Sequence, residues 1–181
     1  MPIYALDDQV PDIHPEAYVH PDAIVIGRVT IGPESSIWPG AVLRADFGEV
    51  LIGARTSVQD GSVLHTTADW PTVVGDECVI GHRVHFEGCT IEDRCLIGSG
   101  SVVVNRVRIG ARSVVGAQAL VPEDTDVPDG SMALGVPARV RPVDADRQQE
   151  WIDSRSRNTW RTPGTTAKTS ASSPKESSND Q

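Results

Sequence analysis

The sequence predicts an all-β fold, a parallel β-helix of hexapeptide repeats in about six triangular coils with a C-terminal α-helix, and three observations predict it. First, branched or aromatic apolar side chains recur at every sixth residue. They are Val19, Val25, Ile31, Ile37 and Leu43, then Ile52, Val58 and Leu64, then Val74, Ile80 and Phe86, then Ile91, Ile97, Val103, Ile109, Val115, Val121 and Val127. A period of six matches neither the helical 3.6 nor a heptad, so each repeat is a strand-and-turn unit that buries one anchor. Second, a small or β-branched residue lies four positions after most anchors, as at Ala23, Ser35, Ala41, Thr56, Cys78, Cys95 and Ser113. Third, glycine often follows the anchor directly, as at Gly32, Gly53, Gly75, Gly81 and Gly98. Three such repeats close one coil, with the anchor inside and the small residue in the corner. One repeat cannot bury its own apolar face, whereas a stack can.

Along the chain, residues 1–18 read as an N-terminal cap, 19–132 as the β-helix, 133–160 as an exit segment and C-terminal helix, and 161–181 as a disordered tail. Two spacings exceed six. Leu43 to Ile52 spans nine residues, which predicts an outward bulge at Asp46 to Gly48, and Leu64 to Val74 spans ten, which predicts a longer bulge through Thr66 to Trp70. Loops on a rigid scaffold are where function tends to sit. After the run GVPARVRP, the residues Gln148, Trp151, Ile152, Arg155 and Thr159 fall at helical spacing behind Asp144 as a cap. Ser, Thr, Pro, Lys and Asp then dominate to Gln181, a composition that cannot bury enough apolar surface to order itself.

Composition narrows the function. A 181-residue chain with 39% apolar residues can bury a core, and its 4% aromatic content suits an interior filled by aliphatic anchors. The net charge of -9 argues against nucleic acid or an anionic membrane as partner. With neither an export signal nor an apolar run of membrane-spanning length, the cytoplasm is the expected compartment. The three cysteines show no CxxC spacing. Cys78 and Cys95 occupy the same corner of consecutive coils, ~4.8 Å apart. That is within disulfide range, but a reducing compartment favours reading both as small buried corner fillers.

The register also maps side-chain neighbours, because positions three anchors apart stack. Leu43, Leu64 and Phe86 form one column, so the next residues, Arg44, His65 and Glu87, project outward together. Val58 and Ile80 form another, which stacks Asp60 and His82 and places Gln59 beside them. Catalytic metal sites need three converging protein ligands with an open position. His65 and Glu87 share a ridge and suit one face of a metal. His82 lies on a different ridge and reaches that metal only from a neighbouring subunit.

The segments WPGAVLRADF (38–47), VQDGSVLH (58–65), IGHRVHFEGC (80–89) and GVPAR (135–139) resemble the γ-class carbonic anhydrase family of hexapeptide-repeat proteins. The resemblance covers about residues 10 to 160. It implies a left-handed β-helix, a homotrimer, and a zinc or iron site at each subunit interface for the hydration of carbon dioxide. By resemblance, Arg44 and Asp46 support the trimer interface, Gln59 and Asp60 are catalytic, and His65 and His82 are metal ligands. Where the family pattern has its third histidine ligand, this chain has Glu87, and an additional histidine, His85, is a substitute candidate. A His2Glu set is established zinc chemistry. Phe47 stands where the family carries a relay acid. Two other readings remain open at this level: a coenzyme-A-dependent acyltransferase using His82 or His85 as base, and a non-catalytic trimer in which Glu87 has displaced the metal by pairing with Arg44 or Arg83. The expected substrate is a small molecule, carbon dioxide or bicarbonate.

Overall fold

The computed structural model describes residues 2–142, and no helix occurs among them. The expected C-terminal helix and tail lie outside the described residues. What is described is a left-handed parallel β-solenoid of about seven turns. Three columns of anchors fill its interior. Val19, Ile37, Val58, Ile80, Ile97, Val115 and Ala133 stand in one register. Val25, Leu43, Leu64, Phe86, Val103 and Val121 form the second. Ile31, Ile52, Val74, Ile91, Ile109 and Val127 form the third.

Each predicted anchor is buried, and together they make one continuous core in which Phe86 is the largest fully enclosed side chain. The stack is taller than the anchor series alone because Ala133, on Ser131–Leu134, continues the first column and Ile3–Tyr4 and Asp12–Ile13 pair in parallel onto Ile24–Ile31. Arg139–Pro142 then reverses direction and pairs antiparallel with Ser131–Leu134.

The corner residues do more than fit. Ser35 Oγ donates to the Gly53 carbonyl at 2.6 Å, Thr56 Oγ1 to Gly75 at 2.7 Å, and Ser113 Oγ to Pro128 at 2.9 Å. Cys78 Sγ and Cys95 Sγ play the same part toward Glu92 and Gly110, at 3.1 and 3.2 Å. The small side chain thus ties each coil to the next and satisfies a buried carbonyl. Both thiols are free and buried, and burial pushes the Cys78 thiol well above the ordinary range. Gly53 shows why the post-anchor position is glycine: a Cβ there would meet Asp76 Oδ1 at 2.4 Å and the Gly75 carbonyl carbon at 2.6 Å.

Outside the prism, a charge ladder runs up one edge. Glu77 accepts from Arg55 and from Arg94, each at 2.9 Å, bridging three coils. On another face Val79, Leu96, Val114 and Met132 point outward and form a second apolar cluster.

Candidate metal centre

The first insertion is the outward bulge that the spacing predicts, formed within one continuous strand. Val42–Ile52 stays extended throughout, pairing Gly27 with Ala45 and Val29 with Val50, so residues 46–49 stand opposite the single Arg28. Extra residues in one strand leave the ladder and bend outward. The bend exposes Phe47 and turns Asp46 back over the face of its own chain. There Asp46 Oδ2 pairs with the Arg44 guanidinium, and Oδ1 lies 2.9 Å from His65 Nε2. Burial alone would raise the Asp46 carboxyl. The hydrogen bonds from His65 and from its own backbone, with the charge of Arg44, outweigh it and hold the carboxyl below the usual carboxylate range.

Register brings the next partners together as predicted. Arg44 pairs with His65 across Val42–Ile52 and Val63–His65, and His65 pairs with Glu87 on His85–Glu87. His65 Nδ1 lies 3.3 Å from Glu87 Oε1, and His85 Nε2 lies 3.5 Å from Glu87 Oε2. The His65 side chain is only 14% exposed, whereas that of His85 is 40% exposed. Glu87 therefore pairs with two imidazoles, and not with Arg44 or Arg83 as the non-catalytic reading expects.

The second insertion is the longer bulge that the spacing predicts, and it is closed on itself: Thr66 Oγ1 donates to the Trp70 carbonyl at 2.8 Å, and the Arg106 guanidinium stacks over the Trp70 ring at 4.7 Å. This packs Trp70 against Gly88, which has φ +60. A Cβ at Gly88 would lie 2.4 Å from Asn105 Oδ1 and 3.1 Å from Trp70 Cβ. The close approach of Asn105 and Trp70 leaves no space for a side chain here, and glycine adopts this φ without strain.

On the adjoining face, His82 Nδ1 lies 3.0 Å from Asp60 Oδ2, the stacking that the register requires. Both side chains are about half exposed in the single chain. Gln59 and His82 stand at one end of a groove of about 670 Å³ that runs along Val79, Leu96, Val114 and Met132.

The donor set bears on the metal that the family resemblance implies. Two ligands of a tetrahedral zinc, at the usual Zn–N and Zn–O lengths, stand about 3.3–3.5 Å apart. His65 Nδ1 and Glu87 Oε1 have that separation, long for a hydrogen bond. Among the described residues of one chain, no group of three His, Cys, Asp or Glu side chains converges on a metal-sized point. The pair fits two corners of a site, and no third donor joins it among the described residues.

Sequence reasoning missed the Asp46–His65 contact. Stacking rules predict neighbours only where register holds, and register is lost across residues 46–49.

Comparison with known proteins fits this picture. The family model for the bacterial transferase hexapeptide (six repeats) matches residues 71–105 and 88–123. The chain is 38% identical over 157 residues to mitochondrial γ carbonic anhydrase 1 of Arabidopsis thaliana, covering 83% of this chain and 57% of that protein. It thus spans little more than half the length of the plant relative. It is 35% identical over 151 residues to the carnitine operon protein CaiE of Escherichia coli K12, covering 83% of this chain and 77% of that one. Among solved structures it is similar to a Bacillus cereus protein described as a candidate acetyltransferase, with 33% identity, a TM-score of 0.80, and coverage of 85% of this chain and 91% of that one. With these relatives and the hexapeptide repeat, the chain belongs to the γ-class carbonic anhydrase family of hexapeptide-repeat proteins.

Proposed function

We propose that the protein catalyses the reversible hydration of carbon dioxide at metal sites between the subunits of a cytoplasmic homotrimer. Each site takes His65 and Glu87 from one subunit and His82 from the next. The observation that carries this reading is the 3.3 Å separation of His65 Nδ1 and Glu87 Oε1, a ligand-to-ligand spacing lacking its third donor. Zinc or iron held there supplies Lewis acidity, making water acidic enough to react near neutral pH. The chain's residues do the rest. Arg44 pairs with Asp46, which contacts the His65 ring, and Asp60 contacts the His82 ring, so each imidazole has a carboxylate to orient it. Gln59, beside His82, supplies an amide to orient a small polar reactant. Glu87 contributes a negative charge where the family has a neutral imidazole, which weakens the positive field of the site. Stopped-flow hydration assays on zinc- and iron-loaded protein test the reading. Metal-dependent hydration that rises with pH supports it, and stoichiometric metal without hydration at any pH refutes it.

A second reading, acyl transfer from coenzyme A, is favoured by one observation: the imidazole of His82, oriented by Asp60, stands at the end of an apolar groove. The likeness to a candidate acetyltransferase agrees with it. Saturable coenzyme A binding by the metal-free protein would favour this reading over hydration.

A further inference from the structure

One outward column of the prism is enclosed although it faces away from the core. Val79, Leu96 and Val114 each precede an anchor of the first column, so their side chains leave the prism, yet they are only 4, 8 and 2% exposed. At the same step of the second column, Val42, Val63, Val102 and Leu120 are all partly exposed. Among the described residues, Met132 is the one hydrophobic side chain packed against the three. Together the four make one wall of the groove, and Gly81, Gly98 and Gly116 leave its floor without side chains. An apolar strip of this kind stays out of water only when another segment lies on it.

We infer that the groove is the berth of the chain's own segment behind Asp144, with Trp151 and Ile152 as its apolar contacts. Three observations single out that occupant. The chain leaves the prism at the groove's end, since Pro142 pairs opposite Ser131, beside Met132. Between Asp144 and Trp160, the residues Gln148, Trp151, Ile152, Arg155 and Thr159 share one helical stripe, and Asp146, Glu150, Asp153 and Arg157 fall off it. The lengths also agree. From Met132 to Val79 the wall rises three coil steps, ~14 Å, and Gln148 to Thr159 spans ~16 Å as a helix. The berth does not depend on carbon dioxide hydration. It does compete with acyl transfer, because the arm of coenzyme A would need the walls that the segment covers.

Met132 is a selective probe, because the chain has one other methionine, Met1. The test is proton–carbon NMR of the full-length protein labelled with ¹³C-methyl methionine. The Met132 methyl should show nuclear Overhauser contacts to an indole and a ring-current shift, both lost in Trp151→Leu while the Met1 signal stays. Trp151→Phe keeps an aromatic ring and should retain part of the shift, and Asp153→Asn, off the stripe, should change nothing. A Met132 signal unmoved by Trp151→Leu overturns the inference. Met132→Cys and Gln148→Cys, placed in one full-length chain and oxidised with a small aromatic disulfide, identify the chain that supplies the segment. A bridge within one chain on a denaturing gel is expected, and a bridge between two chains makes a second copy the occupant and overturns the inference. Coenzyme A added to the unaltered protein should leave the Met132 signal in place. Loss of the indole contact on adding coenzyme A makes the groove a ligand site and overturns it as well.

Discussion

At the scale of single residues, Glu87 stands where the family pattern that the sequence resembles has its third histidine. A carboxylate in place of imidazole removes one unit of positive charge from the metal's surroundings. Hydration by the unaltered protein should therefore be slow near neutral pH with an alkaline midpoint, and Glu87→His should lower that midpoint and raise the neutral rate, as read from pH–rate profiles of the zinc-loaded proteins. His65 and His85 both touch Glu87 but differ in burial and in support, since Asp46 anchors only His65. His65→Ala should lose nearly all bound zinc, and His85→Ala little, by metal analysis after gel filtration. The reverse order would make His85 the ligand. His65, Glu87, Asp60 and His82 were legible as neighbours in the sequence because each sits one or two residues past an anchor whose register is fixed. Asp46 was not, because the bulge that aims it breaks that register.

At the scale of the coil, small side chains and charge ladders hold the edges while anchors hold the centre. Phe86 is fully enclosed in the core, and Phe86→Ala should cost about 3–5 kcal/mol in urea unfolding. Gly88→Ala has no room between Asn105 and Trp70 and an unfavourable φ, so it should destabilise the coil that carries Glu87 and lower zinc occupancy with it. Glu77 gives the pH dependence. The hydrogen bond from Arg55, with the charge of Arg94, outweighs burial and holds its carboxyl below the ordinary glutamate range. A depressed carboxyl stabilises the folded state above the unfolded value and loses that contribution as pH falls through the folded value. Glu77→Gln should therefore be less stable than the unaltered protein at neutral pH, with the gap closing in acid. The corner hydroxyls and thiols show what periodicity alone leaves unread. The pattern asked for small residues at Ser35, Thr56, Cys78 and Cys95, and the structure adds that each donates to a carbonyl of the next coil.

At the scale of the whole molecule, the site is split. His65 and Glu87 project from one face of the prism and His82 from another, and no third donor joins them within the described residues. The proposed trimer, about three times 19.4 kDa by light scattering, supplies that donor. Mixing two inactive variants tests the central claim most directly. His65→Ala keeps His82 for a neighbour, and His82→Ala keeps His65 and Glu87. Co-refolded in equal amounts, they should form mixed trimers in which one interface of three is intact. About a quarter of the zinc and hydration of the unaltered protein should return. Neither variant alone should recover any. If the mixture stays as empty and inactive as its components while the unaltered protein binds one zinc per chain, the site does not span two subunits and the account is wrong.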